Sequence, residues 1–356
     1  MGMPSINITF TELAASAIKR GERGIIAMIL KESTVPATNP IVVTSAAEIP
    51  VALSDFNKKQ LELALMGYVN TPLRVVAYVI DSDDETLDYA GALNYFKTIK
   101  FDYLVCPTAT TDSVASTIAS YVKTERANNK LIKAVLANQA SDDEGIINYT
   151  TSAVYVGDTV YTAEQYCSRI AGIIAGTPLD ISATYAPLNE LTDCTRLTKA
   201  EMDTAVDAGN FIVWFDGEKV KTARAVNSLT TLTSSKNKQF QKIKIVDIMD
   251  MIANDIRMTA EDNYLGKYAN SYANKGLLIS AIGNYFDGLK REDLIQSYKI
   301  GIDVDANRAY LKGKGVDVDS MSDAEIMKAN TGSYVYLKAT LSILDAIEDI
   351  VLPITI

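Results

Sequence analysis

Four short apolar runs, separated by stretches of helical character, restrict the fold of this chain more than any other feature. The runs occupy residues 24–30, 73–80, 101–106 and 131–136. Continuous apolar runs of this length are typical of strands covered on both faces. Strands that alternate with helices favour a mostly parallel sheet with helices on its faces. The sequence therefore predicts an α/β domain, which we place at residues 21–232.

The composition changes after this domain. Residues 227–237 are rich in Ser and Thr, which is typical of a connection between domains. Beyond it the pattern predicts two amphipathic helices, two short strands, and a short helix with Ser322 as its N-cap. These elements are expected at residues 243–258, 278–289, 298–304, 309–311 and 322–329. Because 356 residues are enough for two domains, we expect a small α+β carboxy-terminal domain at residues 233–345.

Both ends of the chain show the alternating apolar pattern of a β-strand. The apolar positions are Ile6, Ile8 and Phe10 at one end, and Ile350, Leu352, Ile354 and Ile356 at the other. Pro353 cannot donate to a ladder, so the terminal strand is expected at a sheet edge. Apolar edge strands attract further strands, and they pair either within their own fold or with another subunit. We predict extended arms at residues 1–20 and 346–356.

Composition and charge exclude several classes of protein. The chain has 34 basic and 44 acidic residues, and a net charge of −10 disfavours nucleic acid and anionic membranes as partners. It contains no histidine, the commonest general base and metal ligand. Its three cysteines are typical of reduced thiols rather than of a disulfide framework. The amino terminus lacks a signal-peptide pattern, so we expect folding in the cytoplasm.

One segment of this acidic chain is basic. Residues 219–244 contain seven Lys and Arg side chains and no Asp or Glu. A solvated face would explain this asymmetry, and so would docking on an acidic surface of a neighbour.

Motifs for cofactors and catalysis are missing from the sequence. Neither form of glycine-rich phosphate loop occurs. Asp303 and Asp305 begin like a calcium loop, but Arg308 and Lys314 stand where Gly and Glu are required. Acidic clusters at residues 81–85 and 142–144 are best explained as solvated turns. We predict no cofactor, no bound metal and no catalytic residue.

Three blocks of the sequence, at residues 225–232, 244–256 and 264–271, resemble the phage tail sheath family, which forms the sheath of contractile tails and R-type bacteriocins. Residues 4–10 and 20–30 are similar to the amino-terminal arm and first strand of members from Gram-positive phages. Residues 344–356 match the terminal strand pattern of these members. No single block is diagnostic, and it is their order along the chain that carries the resemblance.

The resemblance implies a central domain of subtilisin-like topology, without the protease activity. It implies a structural protein that is not an enzyme, with copies stacked as hexameric rings around an inner tube and joined by arms that complete sheets in other copies. The partners implied are the inner tail tube, the baseplate and a tail terminator or collar. Assembly would take place in the host bacterial cytoplasm, before the sheath becomes part of a released virion tail or bacteriocin. Candidate tube contacts are Lys236, Lys238, Lys242, Lys244, Asp323, Glu325 and Lys328.

Two other functions remain open at this point, an α/β hydrolase of the cytoplasm and a small-ligand binding module. An enzyme of this fold class would hold a polar pocket at the carboxyl ends of its parallel strands. A sheath protomer would instead form long tubes.

Overall fold

The computed structural model describes residues 17–355, so the predicted strand positions Ile6, Ile8, Phe10 and Ile356 lie outside the described residues. Within this range the chain forms two compact units. The α/β unit comprises residues 22–250 and 345–355, and the second unit comprises residues 17–21 and 251–344.

The strands of the described chain are β1 (Ile25–Glu32), β2 (Ile41–Val43), β3 (Arg74–Asp81), β4 (Tyr103–Val105), β5 (Lys133–Ala137), β6 (Ile146–Tyr149), β7 (Ala153–Val156), β8 (Thr159–Thr162), β9 (Asp193–Cys194), β10 (Asn210–Phe211), β11 (Val213–Phe215), β12 (Val220–Thr222), β13 (Ile295–Ile302) and β14 (Leu337–Ile343). The helices are α1 (Asp55–Leu65), α2 (Tyr89–Lys97), α3 (Ala115–Ala127), α4 (Ala163–Ala175), α5 (Lys199–Asp207), α6 (Ile243–Asn263), α7 (Tyr272–Arg291), α8 (Val304–Gly313) and α9 (Asp323–Lys328).

A seven-stranded sheet is the centre of the α/β unit. Its strand order is β10-β6-β5-β4-β1-β3-β2. All neighbours are parallel except β2, which is antiparallel to β3 at one edge. Apolar side chains of α1 and α4 cover one face, and those of α2 and α3 cover the other. The predicted α/β domain with a mostly parallel sheet is therefore confirmed.

Helices α1 and α4 pack at short range because Gly172 lacks a side chain. A Cβ atom at this position would lie 2.2 Å from the backbone oxygen of Ala64, and backbone atoms cannot move aside easily. Helix α4 begins at a capping box in which Thr162 accepts from the N–H of Gln165 and Gln165 accepts from the N–H of Thr162.

The second unit contains helices and an antiparallel strand pair. Strand β13 pairs with β14, and α8 packs against α9 through Leu311, Val318 and Ile326. The predicted strand at 309–311 is wrong, because these residues lie in α8. Asp303 caps this helix by accepting from the N–H of Ala306, which also gives the acidic start of the calcium-like motif a structural role.

One further difference and one confirmed prediction concern small elements. The antiparallel sheet β8-β7-β9 was not predicted, since its strands are two to four residues long and carry little periodicity. The predicted helix at 322–329 is confirmed as α9, and Ser322 is its N-cap. The boundary between the units falls within α6, between residues 250 and 251.

No described helix is long and apolar enough to cross a bilayer.

Candidate functional site

The carboxy-terminal tail contains an apolar segment whose side chains are exposed in the described part of the chain. The structure assigns neither helix nor strand to residues 344–355. Ile350, Leu352 and Ile354 expose 82%, 73% and 78% of their surface, and Val351 between them exposes 92%. Contiguous exposed apolar residues of this kind mark interaction sites. Three of the predicted arm positions, Ile350, Leu352 and Ile354, are thus exposed, and their role as strand arms stays a prediction.

The root of this tail, residues 345–349, lies on the α/β unit. The root lies against two segments, around Val226 and Lys242, that pair as an antiparallel bridge. The N–H of Asn227 donates to the oxygen of Gln241 at 2.9 Å, and the N–H of Ile243 donates to the oxygen of Ala225 at 3.2 Å. This pairing places Arg224 and Lys242 beside each other.

Three acidic residues of the root meet these two cations. Lys242 Nζ lies 2.8 Å from Glu348 Oε2 and also forms an ion pair with Asp345. Arg224 Nη2 donates to Asp349 Oδ1 at 2.6 Å. The Glu348 side chain is only 5% exposed. Its second oxygen accepts from Thr184 Oγ1 at 2.6 Å.

The root contacts change the acidity of both cations. Hydrogen bonding to Asp349 raises the pKa of Arg224, and this outweighs the effect of partial burial. Burial alone would lower the pKa of Lys242, but hydrogen bonds to Asp345 and Glu348 raise it overall. Both side chains therefore stay charged at neutral pH.

The strand pair β13–β14 offers backbone groups to further strands. It is a two-stranded sheet, so within residues 17–355 each strand has a ladder partner on one side only. Lys338 and Thr340 on β14 are exposed. Two-stranded sheets are marginally stable by themselves, and open edges accept added strands.

Several cations of the basic block, residues 219–244, bind acidic or carbonyl groups of the same chain. Lys236 pairs with Glu144 at 2.7 Å, and Lys242 holds the tail root. Lys244 is buried and donates to the carbonyl of Asp180 at 2.9 Å, and burial lowers its pKa. Lys238 is exposed and makes no ion pair within the described part of the chain. The four candidate tube contacts are thus not equivalent, and their proposed contact with a tube stays a prediction.

The acidic candidates on α9 also have local partners. Glu325 accepts from the hydroxyl of Ser322 at 2.7 Å in the capping box, and Asp323 pairs with Arg308 at 2.8 Å. Lys328 Nζ lies 6.0 Å from the centre of the Tyr272 ring. Asp323, Glu325 and Lys328 are exposed despite these contacts, and their role stays a prediction.

A buried ionic cluster in the α/β unit was missed by the sequence reasoning. Asp247 and Asp250 project from α6 to the parallel sheet, where Lys133 Nζ lies 3.1 Å from the first carboxylate and 2.7 Å from the second. Tyr103 Oη donates to Asp247 at 2.6 Å, and Arg23 forms an ion pair with the same carboxylate. The signal in the sequence was two acidic residues, three positions apart, inside an apolar helix.

The same cluster extends to a second arginine. Arg126 binds both oxygens of Asp250, at 2.8 and 3.1 Å. Burial would raise the pKa of Asp247, but the charges of Lys133 and Arg23 lower it overall. Burial would lower the pKa of Lys133, but the two carboxylates raise it. The cluster therefore remains ionised and fastens the first half of α6 to the sheet.

An enzyme of this fold class would have its polar pocket in the crevice where the strand order reverses. This crevice lies at the carboxyl ends of β1 and β4 and is lined by Lys31, Asn57 and Thr108 among others. Lys31 forms a 2.7 Å ion pair with Asp112, and Tyr89 donates to the same carboxylate. The charges of Lys31 and Asp112 therefore balance each other, and the Tyr89 hydroxyl is hydrogen-bonded to the same carboxylate.

The neighbouring thiol of this crevice is not activated. Burial raises the pKa of Cys106 to about 11, so it is protonated at neutral pH. Among residues 17–355 no three His, Cys, Asp or Glu side chains are placed to hold a metal ion.

Comparison with known proteins agrees with the sequence resemblance. Residues 84–228 match the model of the phage tail sheath protein central domain, and residues 235–356 match that of the phage tail sheath C-terminal domain. The tail sheath protein of Clostridium phage phiCD119 is 39% identical over 353 residues, which are 98% of each chain. The chain belongs to the phage tail sheath protein family.

A further relative of the chain is a protein of a phage-like element. The XkdK protein of the phage-like element PBSX in Bacillus subtilis is 33% identical over 175 residues, which are 48% of this chain and 37% of that protein. The family is a structural one, and phage tail sheaths are components of the virion.

Solved structures show the same fold. The sheath tail protein from Desulfitobacterium hafniense is 22% identical, with a TM-score of 0.71 over 85% of this chain and 94% of that chain. The helical sheath of the anti-feeding prophage in its contracted state is 13% identical, with a TM-score of 0.72 over 100% of this chain and 99% of that one. The predicted subtilisin-like topology and strand arms stay predictions.

Proposed function

We propose that this chain is the repeating protomer of a contractile tail sheath. Copies would stack as hexameric rings around an inner tube, and contraction of the stack would drive the tube through the envelope of a target cell. Its partners would be other copies of itself, the tube protein, the baseplate and a tail terminator or collar. Assembly would take place in the host bacterial cytoplasm. The particle would be a phage tail or a headless bacteriocin.

The exposed apolar tail carries this proposal. Ile350, Leu352 and Ile354 alternate in sequence along an exposed segment whose root is held by ion pairs. A protein that kept such a segment uncovered would be prone to aggregate. In a polymer every tail is covered by the next copy, apart from those at the ends.

The strand pair β13–β14 is the acceptor that suits this tail. Among residues 17–355 neither strand has a ladder partner on its outer edge, and an incoming strand would turn a marginal two-stranded sheet into a stable larger one. We propose that Ile350–Ile356 of one copy and Ile6–Phe10 of another add to this sheet. Our reasons are the alternating patterns at both ends and the two open edges.

Strand exchange would let a sheath shorten without separating. Ladder hydrogen bonds join backbones and do not depend on the side chains at the moving faces, so they would persist while other contacts are exchanged. Contraction then requires that the final arrangement have a lower free energy than the extended one, which more buried surface between copies would supply.

Electron microscopy of purified protein tests the proposal. We expect the wild-type chain to form long tubes. The triple variant I350N/L352N/I354N should fold but remain as single protomers, because its tail loses the apolar face that a neighbour would cover.

The matched control is V51N, because Val51 is 90% exposed and lies away from the tail in the sequence. This variant should form tubes like the wild type. Absence of tubes from the wild-type protein would overturn the proposed function, and tubes of normal length from the triple variant would overturn the role of the tail.

A further inference from the structure

The structure assigns a positioning role to Arg224 and Lys242: we propose that these two residues form a latch that holds the root of the chain's own tail and so fixes where the strand arm starts. This inference rests on the proposed sheath function. The latch comprises Arg224, Lys242 and Thr184 on the body, and Asp345, Glu348 and Asp349 on the tail.

Geometry favours a latch made to fit this segment. Thr184 Oγ1 accepts from the N–H of Ala225 at 3.0 Å and donates to Glu348, so the hydroxyl joins body and tail in one chain of hydrogen bonds. Lys242 holds Asp345 and Glu348, which are three residues apart. Sliding the tail by one residue would remove Glu348 from both Lys242 and Thr184.

The latch determines how far the tail can reach. An extended chain spans at most about 3.3–3.6 Å per residue, so residues 350–356 reach about 25 Å beyond a fixed Asp349. With the latch open, residues 345–356 would reach about 40 Å from Leu344. A closed latch therefore limits the acceptor to a nearby copy and reduces the number of wrong pairings available to an apolar strand.

The latch is exposed enough to open. The side chains of Lys242 and Arg224 are 23% and 36% exposed, and that of Asp349 is 74% exposed. Pairs of this kind are weakened by salt, because the screening length falls from about 10 Å at 0.1 M to about 3 Å at 1 M. The acidic root also accounts for two of the seven cations in the basic segment, Arg224 and Lys242.

Limited proteolysis of unassembled protomers tests the latch without requiring tubes. A glutamate-specific protease should cleave after Glu348 at least about tenfold faster in R224Q/K242Q than in the wild type, because the closed latch leaves the Glu348 side chain only 5% exposed. The double variant K199Q/R196Q is the matched control, because those two cations pair elsewhere on the surface. Equal rates of cleavage after Glu348 in R224Q/K242Q and in the wild type would overturn the proposal.

Charge reversal tests whether the latch closes within one chain. The body variant R224E/K242E and the tail variant D345K/E348K/D349K should each need at least about tenfold more protein to form tubes. Both sets combined in one chain should restore tubes, and a mixture of the two separate variants should not.

Each result of the reversal experiment is decisive once unfolding curves show that the variants are folded. Tubes from the mixture would mean that the latch forms between copies. Normal tubes from either separate variant, or none from the combined chain, would also overturn the proposal. If the wild type makes no tubes, the sheath function fails, while the proteolysis experiment still decides whether the latch exists.

Discussion

The α/β unit contains two ionic clusters that differ in burial. In the cluster around Asp247 the side chains of Lys133 and Asp247 are 4% and 5% exposed. At the tail latch only Glu348 is buried, and its partners reach solvent. The buried cluster suits a permanent connection, whereas the exposed one suits a contact that can be made and broken. Similar residue types thus serve different purposes according to their distance from water.

The energetic difference follows from desolvation. Removing one partner of a buried ion pair leaves an uncompensated charge and destabilises a protein by about 3–5 kcal/mol. Exposed ion pairs contribute about 0–1 kcal/mol and are screened by salt. The predictions below test this contrast, from the largest expected effect to the smallest.

The largest effect is expected from Asp247→Asn. The substitution leaves Lys133 and Arg23 without one of their carboxylates inside the protein, so the free energy of unfolding should fall by about 3–5 kcal/mol. Urea unfolding of the protomer measures it. Asp203→Asn is the control, because its pair with Lys199 is exposed, and it should change stability by less than about 0.5 kcal/mol. Similar losses in both variants would show that burial does not determine the cost of removing a carboxylate from its ion pair.

Acid should also affect the buried cluster. In the folded protein the pKa of Asp247 lies below its ordinary value of 3.8. As the pH falls, this carboxylate is therefore protonated in the unfolded state before it is protonated in the folded state. The stability from this group is present above pH 3.8 and is lost as the pH falls through the folded pKa. Unfolding curves at neutral pH and below pH 3.8 should show a steeper loss in the wild type than in Asp247→Asn. Equal slopes would contradict the lowered pKa.

A smaller effect is expected from Glu348→Gln at the latch. The amide keeps an oxygen for Thr184 but loses the attraction of Lys242, so the protomer should lose about 1 kcal/mol. The difference from wild type should shrink at high salt, and Asp349→Asn should lose less because Asp349 is more exposed. A loss of unfolding free energy that does not change with salt concentration would show that the latch behaves like the buried cluster.

The smallest effect on stability is expected from Lys238→Glu. Lys238 is exposed and is not used by the latch or the buried cluster, so its substitution should leave the urea midpoint unchanged. If the predicted tube contact is correct, cosedimentation with the tube protein should still fall. Lys100→Glu makes the same charge change at another exposed position of the α/β unit and serves as the control. Equal binding of the tube protein by both variants would show that Lys238 does not contact the tube.

Much of the fold could be predicted because it depends on local patterns. The apolar run at residues 24–30 became a strand with all six residues from Ile25 to Leu30 buried, and the spacing at 243–258 became most of α6. The strand predicted at 309–311 failed because apolar alternation over three residues also fits a helix, and Asp303 and the packing of Leu311 decided for the helix.

The role of the site residues stays a prediction. Alternation in the sequence predicts arm positions at Ile350, Leu352 and Ile354, and the structure shows only that these side chains are exposed. The sequence shows that the basic block, residues 219–244, is unusual in an acidic chain. It does not show which acidic residues lie next to the block, because that depends on distances in the folded chain. The sequence alone does not show that Asp345 and Asp349 are partners of this block.

By itself, the sequence determined the alternation of strands and helices, the family and the apolar ends, since each of these depends on residue type and on spacing along the chain. The tertiary structure decided that Lys242 holds Glu348, 106 positions away, and that Asp247 meets Lys133 in the interior. Such pairs depend on distances of about 3–4 Å between residues remote in sequence. Only the folded backbone brings those charges together.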